Sequence, residues 1–397
     1  MIKLETYVNK TVPFKFMGAE MSFELSHGLF SSFDIDSGSR LLLKLVAKNV
    51  ETADVGSILD IGSGVGVLGI ACARACPGAS LRMRDRDALA CAFSERNAKR
   101  NKVRPESVDH ALFLDGLAGG RFDLVLCNVP AKAGPPVLDR FLRELPGVVS
   151  ERGWGAVVVV EPIAAAALES ILGSGATVVA REAGAGHSAI LFRRGTASDA
   201  SADAGWAALE RSEETVRAGR ATYRFRGYWG LPEFDTPSFA TSLAMDLCED
   251  AMAGSLVRRV AVVNPGPGRI ACRIKSRANG AVIDLCGRDA LELVATTRNL
   301  ALAGNQEVPA GMTTASPDGL ADASYDLVVE IPDVTPRVDT LAESWAHAAR
   351  ILKSGGSYVA AMPSAVMDRF EKKRPKGFVR ITARKKKGFA CAAWRLG

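Results

Sequence analysis

Residues 58–69 read Ile-Leu-Asp-Ile-Gly-Ser-Gly-Val-Gly-Val-Leu-Gly. An apolar run of strand character ends in an acid, three glycines follow at alternate positions, and an apolar pattern of helical spacing begins. A strand–turn–helix unit of this kind is a nucleotide cradle. Gly62, Gly64 and Gly66 carry no side chains, so backbone amides and a helix N-terminus can lie against a ligand. Gly64-x-Gly66-x-x-Gly69 satisfies a dinucleotide pattern, with Asp85 where a ribose-binding acid is expected. Asp60 argues for another ligand: a carboxylate two residues before Gly62 repels a pyrophosphate and suits an ammonium group. S-adenosylmethionine (SAM) carries an amino-acid end and no phosphate. Asp60 is then expected to serve its amine, Asp85 its ribose hydroxyls and Asp115 its adenine amino group. A purely structural reading uses the same residues as helix-packing glycines and solvated caps.

Around this loop, β-type runs alternate with helical patterns. Strands are expected at 58–61, 80–84, 110–114, 122–127, 155–160 and near 188–193, with helices at 66–75, 87–101 and 136–148. Such alternation predicts a mostly parallel, doubly wound sheet with its ligand crevice at the carboxyl ends of the strands. Asp60, Asp85, Asp115 and Asn128 are expected at those ends.

Sliding the chain against itself by about two hundred residues reveals a second copy. Asp87-Ala88-Leu89 recurs as Asp289-Ala290-Leu291, Arg96-Asn97 as Arg298-Asn299, and Phe122-Asp123-Leu124-Val125 as Tyr325-Asp326-Leu327-Val328. Between the copies, Gly195 to Gly205 has linker composition and Trp206 to Ala218 the periodicity of a short helix. The expected division is a ligand-binding domain at 1–195, a linker with a short helix at 196–222, and a second domain at 223–397. In the second copy Val262, Asn264 and Gly287 stand in place of Asp60, Gly62 and Asp85, and Asn128 aligns near Glu330 or Ile331. Val263-Asn-Pro-Gly-Pro-Gly268 puts two prolines in the loop, each removing a donor. This copy is expected to bind no cofactor.

The 397 residues are 48% hydrophobic and 24% charged, ordinary for globular protein of two domains. The N-terminus Met-Ile-Lys-Leu-Glu-Thr lacks the apolar core of a signal peptide, and the most apolar run, Ala156 to Val160, is cut by Glu161. Eight cysteines include no Cys-x-x-Cys pair, and four histidines, His27, His110, His187 and His347, lack metal-ligand spacing. A reduced, cytoplasmic protein without disulfides, metal or membrane span is expected. No Gly-x-Ser-x-Gly elbow or phosphate-binding Gly-Lys-Ser/Thr loop occurs. Trp154 is either a substrate aromatic or a residue packed beside its own strand. Net charge is +6, but residues 369–397 hold eleven Lys or Arg against one acid, Glu371. A polyanion such as RNA is drawn to such an end; a solvated basic sheet edge has the same composition.

The chain resembles the class I methyltransferases, and within them the "methyltransferase small" family of ribosomal RNA guanine-N2 methyltransferases. The likeness lies in Gly28-Leu-Phe-Ser-Ser-Phe-Asp-Ile-Asp-Ser-Gly-Ser-Arg-Leu-Leu-Leu43, with Phe30, Asp36 and Gly38 matching the pattern, in Leu59–Leu68, and in Phe122–Ala131. The resemblance implies an α/β fold of two tandem Rossmann-like methyltransferase domains, the second degenerate. It also implies methyl transfer from SAM to an exocyclic amino group of a base in ribosomal RNA. The family's motif is Asn-Pro-Pro followed by Phe or Tyr, in which the Asn side chain and the next carbonyl orient the acceptor NH2 and the ring stacks on the base. Here it reads Asn128-Val129-Pro130-Ala131. Asn128, Val129 and Pro130 are the expected catalytic positions; the first proline and the ring are replaced. Stacking contributes ~1–3 kcal/mol per base, so the missing ring leaves a non-catalytic SAM- or RNA-binding protein as the alternative. Tandem members of the family carry the catalytic copy C-terminally; in this chain the order is reversed. The second copy either docks RNA through its basic end or packs against the first as a pseudo-dimer.

Overall fold

The computed structural model describes residues 4–30, 32–117, 119–195, 205–219, 221–253, 256–304 and 311–397. Residues 196–204 of the expected linker lie outside them. The described residues divide into two compact units, one ending at Leu209 and one running from Glu210 to Gly397.

The first unit runs α1 (Leu4–Tyr7), β1 (Val8–Phe16), β2 (Ala19–Ser26), α2 (Ser37–Asn49), β3 (Ser57–Ile61), α3 (Val67–Ala75), β4 (Ser80–Asp85), α4 (Ala88–Arg100), β5 (Ser107–His110), β6 (Phe122–Asn128), α5 (Pro135–Glu144), β7 (Val149–Val160), α6 (Ala164–Gly173), β8 (Thr177–Gly184) and β9 (His187–Arg193). Its seven-stranded sheet has the order β5-β4-β3-β6-β7-β9-β8. β3 lies parallel to β4 and β6, whereas β9 is antiparallel to β7 and β8. Strands covered on both faces read as continuous apolar runs. Accordingly Ile58, Leu124, Leu126, Ala156 and Val158 pack with the β1–β2 hairpin, α2, α3 and α4, while the alternate Leu59, Val125, Val157 and Val159 are equally buried.

The second unit, entered through α7 (Gly205–Leu209), repeats the plan. It comprises β10 (Glu210–Ala218), β11 (Ala221–Tyr228), α8 (Phe239–Met252), β12 (Arg259–Val263), α9 (Arg269–Arg277), β13 (Val282–Cys286), α10 (Ala290–Ala303), β14 (Thr313–Thr314), β15 (Tyr325–Glu330), α11 (Thr340–Ile351), β16 (Leu352–Pro363), α12 (Ser364–Glu371), β17 (Phe378–Lys386) and β18 (Phe389–Leu396). Its sheet order, β14-β13-β12-β15-β16-β18-β17, is that of the first. The tandem α/β duplication expected from sequence is therefore present as two sheets of one topology.

Matching local causes build matching elements. Asp87 caps α4 by accepting from the Leu89 amide (2.9 Å), and Asp289 caps α10 through Leu291 (3.0 Å), each satisfying an amide the helix leaves open. On α4 the buried Asn97 clamps β2, its Oδ1 taking the Glu24 amide (2.8 Å) and its Nδ2 giving to the carbonyls of Glu24 (3.0 Å) and Val65 (2.9 Å). Asn299 does the same for Arg226 (2.8 and 2.9 Å) and Pro267 (2.8 Å). Arg96-Asn97 and its repeat thus recur because one side chain ties hairpin, helix and loop together.

Two expectations are corrected. The strand expected at 110–114 is β5 at Ser107–His110. The Ala111 amide turns onto the Asp85 carbonyl (2.9 Å), and Phe113 adopts φ 37° inside a turn. The helix expected over Trp206–Ala218 is a five-residue helix followed by strand β10. Glu213 pairs across the hairpin with Arg224 and Arg226, and Glu210 with Arg226, so a segment of helical periodicity is instead held as a strand by cross-strand pairs. No helix of the described residues is long and apolar enough to cross a membrane. The eight cysteines are buried and unpaired.

Removing the side-chain amide in Asn97→Ala or Asn299→Ala leaves several buried backbone groups unpaired, and each substitution is expected to cost at least about 2 kcal/mol, read as a lower urea midpoint.

Candidate functional site

The loop between β3 and α3 is held open by three left-handed glycines, Gly62 (φ 69°), Gly64 (φ 57°) and Gly66 (φ 85°), a conformation side chains disfavour. The amides of Gly62 and Ser63 donate to the Arg84 carbonyl (2.9 and 3.0 Å), closing the turn onto β4. A Cβ at Gly66 would lie 2.7 Å from Ile70 Cδ1, whereas one at Gly64 would meet nothing within 4 Å. Gly66 serves helix packing; Gly64 faces open space. From beneath, Ser94 donates to the Gly64 carbonyl (3.1 Å) and sits 2.9 Å from the Ser63 hydroxyl.

Asp60 lies under this loop, fully buried. Its Oδ2 accepts from the Gly69 amide in the first turn of α3 (2.8 Å), and its Oδ1 is buried without a partner. Burial, with the nearby Asp85 charge in support and against the stabilising Gly69 bond, pushes the Asp60 carboxyl up to about 7. Asp85 ends β4 and accepts from the amides of Gly64 (2.9 Å) and Asp87 (2.9 Å). Asp60 and Asp85 thus brace the loop from its two sides, and one buried carboxylate oxygen remains for a donor.

Asn128 ends β6, as expected. Its Nδ2 donates to Asp36 Oδ2 (2.8 Å) and Ser39 Oγ (3.2 Å) at the start of α2. A carboxylate can only accept here, so the amide is oriented by Asp36 and its oxygen is turned away from that partner. Asp36 also caps α2 through the Ser39 amide (3.1 Å). A Cβ at Gly38 would stand 2.8 Å from both Asp36 Oδ2 and His187 Cδ2, so any side chain there displaces the carboxylate that sets Asn128. The Asn128 carbonyl is 4.0 Å from where a Gly62 Cβ would be, which sets the end of β6 beside the glycine loop. Val129 is buried, and its amide donates to the Val158 carbonyl (2.9 Å) on β7. Pro130 fixes the next backbone step at φ −73°.

Asp115 departs from expectation. It lies in the turn after β5 rather than at a strand end, and its carbonyl accepts from the buried Arg84 (2.6 Å). Desolvation lowers the Arg84 pKa, opposed by the charges of Asp109 and Asp115. Trp154 is covered by the Arg193 guanidinium, 3.2 Å from the ring centroid, the packed alternative of the two readings. The bonds of Asp36, Ser94 and Asn97 reach partners distant in the chain; in the sequence, Asn97 is marked by the recurring Arg-Asn pair and Asp36 by the leader pattern, whereas Ser94 carries no mark.

The same place in the second unit is filled. Asn264 holds the left-handed turn at φ 53° and sends its Nδ2 to the Ile331 carbonyl (3.0 Å), into the gap that Gly62 leaves open. Pro265 Cδ lies 3.2 Å from a Cβ built on Gly287, so a side chain at the position corresponding to Asp85 would crowd the proline. Among the described residues no group of three or more His, Cys, Asp or Glu could hold a metal.

A glycine loop on a seven-stranded sheet of this order, with acids at two strand exits and an oriented Asn at a third, defines the SAM-dependent methyltransferase architecture. Residues 20–186, which lie in the first unit, match the family model described as Methyltransferase small domain. "Ribosomal RNA small subunit methyltransferase C" of Mannheimia succiniciproducens is 34% identical over 130 residues, 33% of this chain and 36% of that protein. "Ribosomal RNA large subunit methyltransferase G" of Photobacterium profundum is 39% identical over 120 residues, 30% and 31% of the two chains. The chain thus spans about a third of the length of these curated relatives. A 16S rRNA N2 methyltransferase from T. thermophilus, solved with AdoMet and guanosine, superposes over 100% of both chains with TM-score 0.67 at 17% identity, so the two-domain fold is shared.

The raised Asp60 pKa gives stability a definite pH dependence. The folded state keeps this proton up to about pH 7 whereas the unfolded chain releases it near 4, so the contribution is full in acid and lost as pH rises between those values. Asp60→Asn keeps an acceptor for Gly69 without the charge, and its urea midpoint is expected to fall less between pH 5 and pH 8 than that of the parent.

Proposed function

We propose that the chain is a SAM-dependent methyltransferase whose first unit moves a methyl group to an exocyclic amino group of a base in ribosomal RNA. The observation that carries this reading is the oriented Asn128 amide beside an open glycine loop. The residues present fit the donor: Asp60 Oδ1 is a buried acceptor without a partner, and Gly64 opens on free space. Asp60, Gly62, Gly64, Gly66, Asp85 and Asp115 are assigned to hold SAM, with Asp60 serving its amine. SAM supplies an electrophilic methyl group when bound. Asn128 Oδ1 and the Val129 carbonyl accept the two N–H bonds of the acceptor amine, aiming its lone pair; Pro130 stiffens the backbone that presents them. Catalysis in this scheme is positioning. The names of the rRNA methyltransferase relatives support RNA as the acceptor, and a cytoplasmic location follows from that substrate.

The second unit, its own loop filled, is proposed to dock RNA through β17, the outer strand of its sheet. Arg384 is paired with Asp250 and Arg380 with Glu371. Lys385, Lys386 and Lys387 are exposed and have no acidic partner among the described residues. A row of cations on a solvated edge attracts phosphates through counterion release. The second reading, SAM or RNA binding without transfer, is favoured by Ala131, which leaves no ring after Asn128-Val129-Pro130.

Calorimetry with SAM, followed by methyl transfer to RNA from cells lacking the protein, separates the two; binding without transfer supports the second, and binding of NAD in place of SAM overturns both. Asp60→Ala is expected to weaken SAM binding by about tenfold or more, the worth of a charge-assisted hydrogen bond. Asn128→Ala is expected to lower kcat with SAM affinity retained. Replacing Lys385, Lys386 and Lys387 together with Gln is expected to reduce the salt slope of RNA binding by about 2–3; an unchanged slope favours a structural role for the second unit.

A further inference from the structure

The leader between β2 and α2 exposes two aromatic rings, Phe30 at 76% and Phe33 at 68%. A single exposed phenylalanine needs no explanation. Phe33 differs in that hydrogen bonds brace the backbone on both sides of it. On one side Asn9 Nδ2 donates to the Ser32 carbonyl (2.7 Å); on the other Arg40 binds Asp34 Oδ1 (3.1 Å) and the Ile35 carbonyl (3.3 Å). The ring is met edge-on by His27, with centroids 5.4 Å apart at 69°. A braced backbone and a ring-edge contact therefore keep an apolar face in water. Three residues later stands Asp36, whose carboxylate orients Asn128, so Phe33 is anchored within about 11 Å of chain from the group that sets Asn128.

The duplicate provides an internal comparison. Phe33-Asp34 recurs in the second copy as Phe234-Asp235, and Phe234 lies beneath the Arg211 guanidinium, 3.2 Å from its ring centroid. The unit whose loop is filled covers this ring, and the unit whose loop is open exposes it.

We propose that Phe33 is the stacking platform for the acceptor base, a substrate-binding residue on the leader that supplies the aromatic face the segment after Asn128 lacks. The assignment rests on the methyl-transfer reading above. A planar base lying on Phe33 presents its exocyclic amine at its edge, which is the geometry that side-chain and backbone acceptors beyond the ring require. Stacking tolerates any base, so the platform contributes affinity while the acceptors select the amino group.

The test is steady-state methyl transfer from SAM to unmodified ribosomal RNA by the full chain and by Phe33→Leu and Phe33→Tyr, with SAM affinity measured by calorimetry as the check on folding. Phe33→Leu is expected to raise KM for RNA about tenfold with SAM affinity unchanged, and Phe33→Tyr to restore it. Unchanged KM in Phe33→Leu, or Phe33→Tyr as impaired as Phe33→Leu, overturns this assignment while leaving the enzyme reading intact. A parent protein that binds SAM and transfers nothing overturns the enzyme reading and the assignment together.

Discussion

The site depends on a buried carboxylate that has one hydrogen bond where it could accept several. Asp60 secures the first turn of α3 through the Gly69 amide and leaves its second oxygen unpaired. An unpaired buried acceptor is costly, and the same burial raises the Asp60 pKa to about 7, shifting the group toward its neutral acid form. A cationic ligand in the loop would reverse that balance, restoring the charge and giving the oxygen its partner. The three left-handed glycines are the geometric side of the same arrangement, since they keep the loop backbone close above the acid.

The two units show what happens when that arrangement is lost. The fold tolerates the change from Asp60 to Val262 because an apolar side chain suits a buried strand. With the acid gone, Asn264 and Pro265 occupy the space that Gly62 and the Asp85 position keep open, and the loop bonds to the end of β15 instead of facing it across a gap. Ser94 and Thr296 nonetheless donate alike to their loop carbonyls (3.1 Å each), and Asn97 and Asn299 bind alike to theirs. The scaffold bonds are common to both copies and the ligand-facing positions are not, which separates the residues that fold the unit from those that give it a site.

Asp36 illustrates how the chemistry is divided along the chain. Asn128 is placed by its strand but oriented by a carboxylate 92 residues earlier. The leader that carries Asp36 also carries Phe33 and is closed over Gly38, so one short segment caps a helix, sets an amide and exposes a ring.

The amino-acid sequence alone determined the elements whose signal is local. Asp60 and the glycines of 58–69 announce a strand, a turn and a helix because burial and left-handed backbone restrict which residues fit, and the constant offset of Asp87, Asn97 and Phe122 from their repeats announces a second unit. Tertiary structure alone decided what depends on partners far along the chain. The charges of Glu210 and Glu213 give no local sign that they will pair across a hairpin, Asp115 leaves its strand end because the chain after His110 turns onto Asp85, and Asp36 meets Asn128 only when α2 packs against the sheet. Local sterics and burial are written residue by residue, whereas a hydrogen bond between distant side chains exists only once the fold has brought them together.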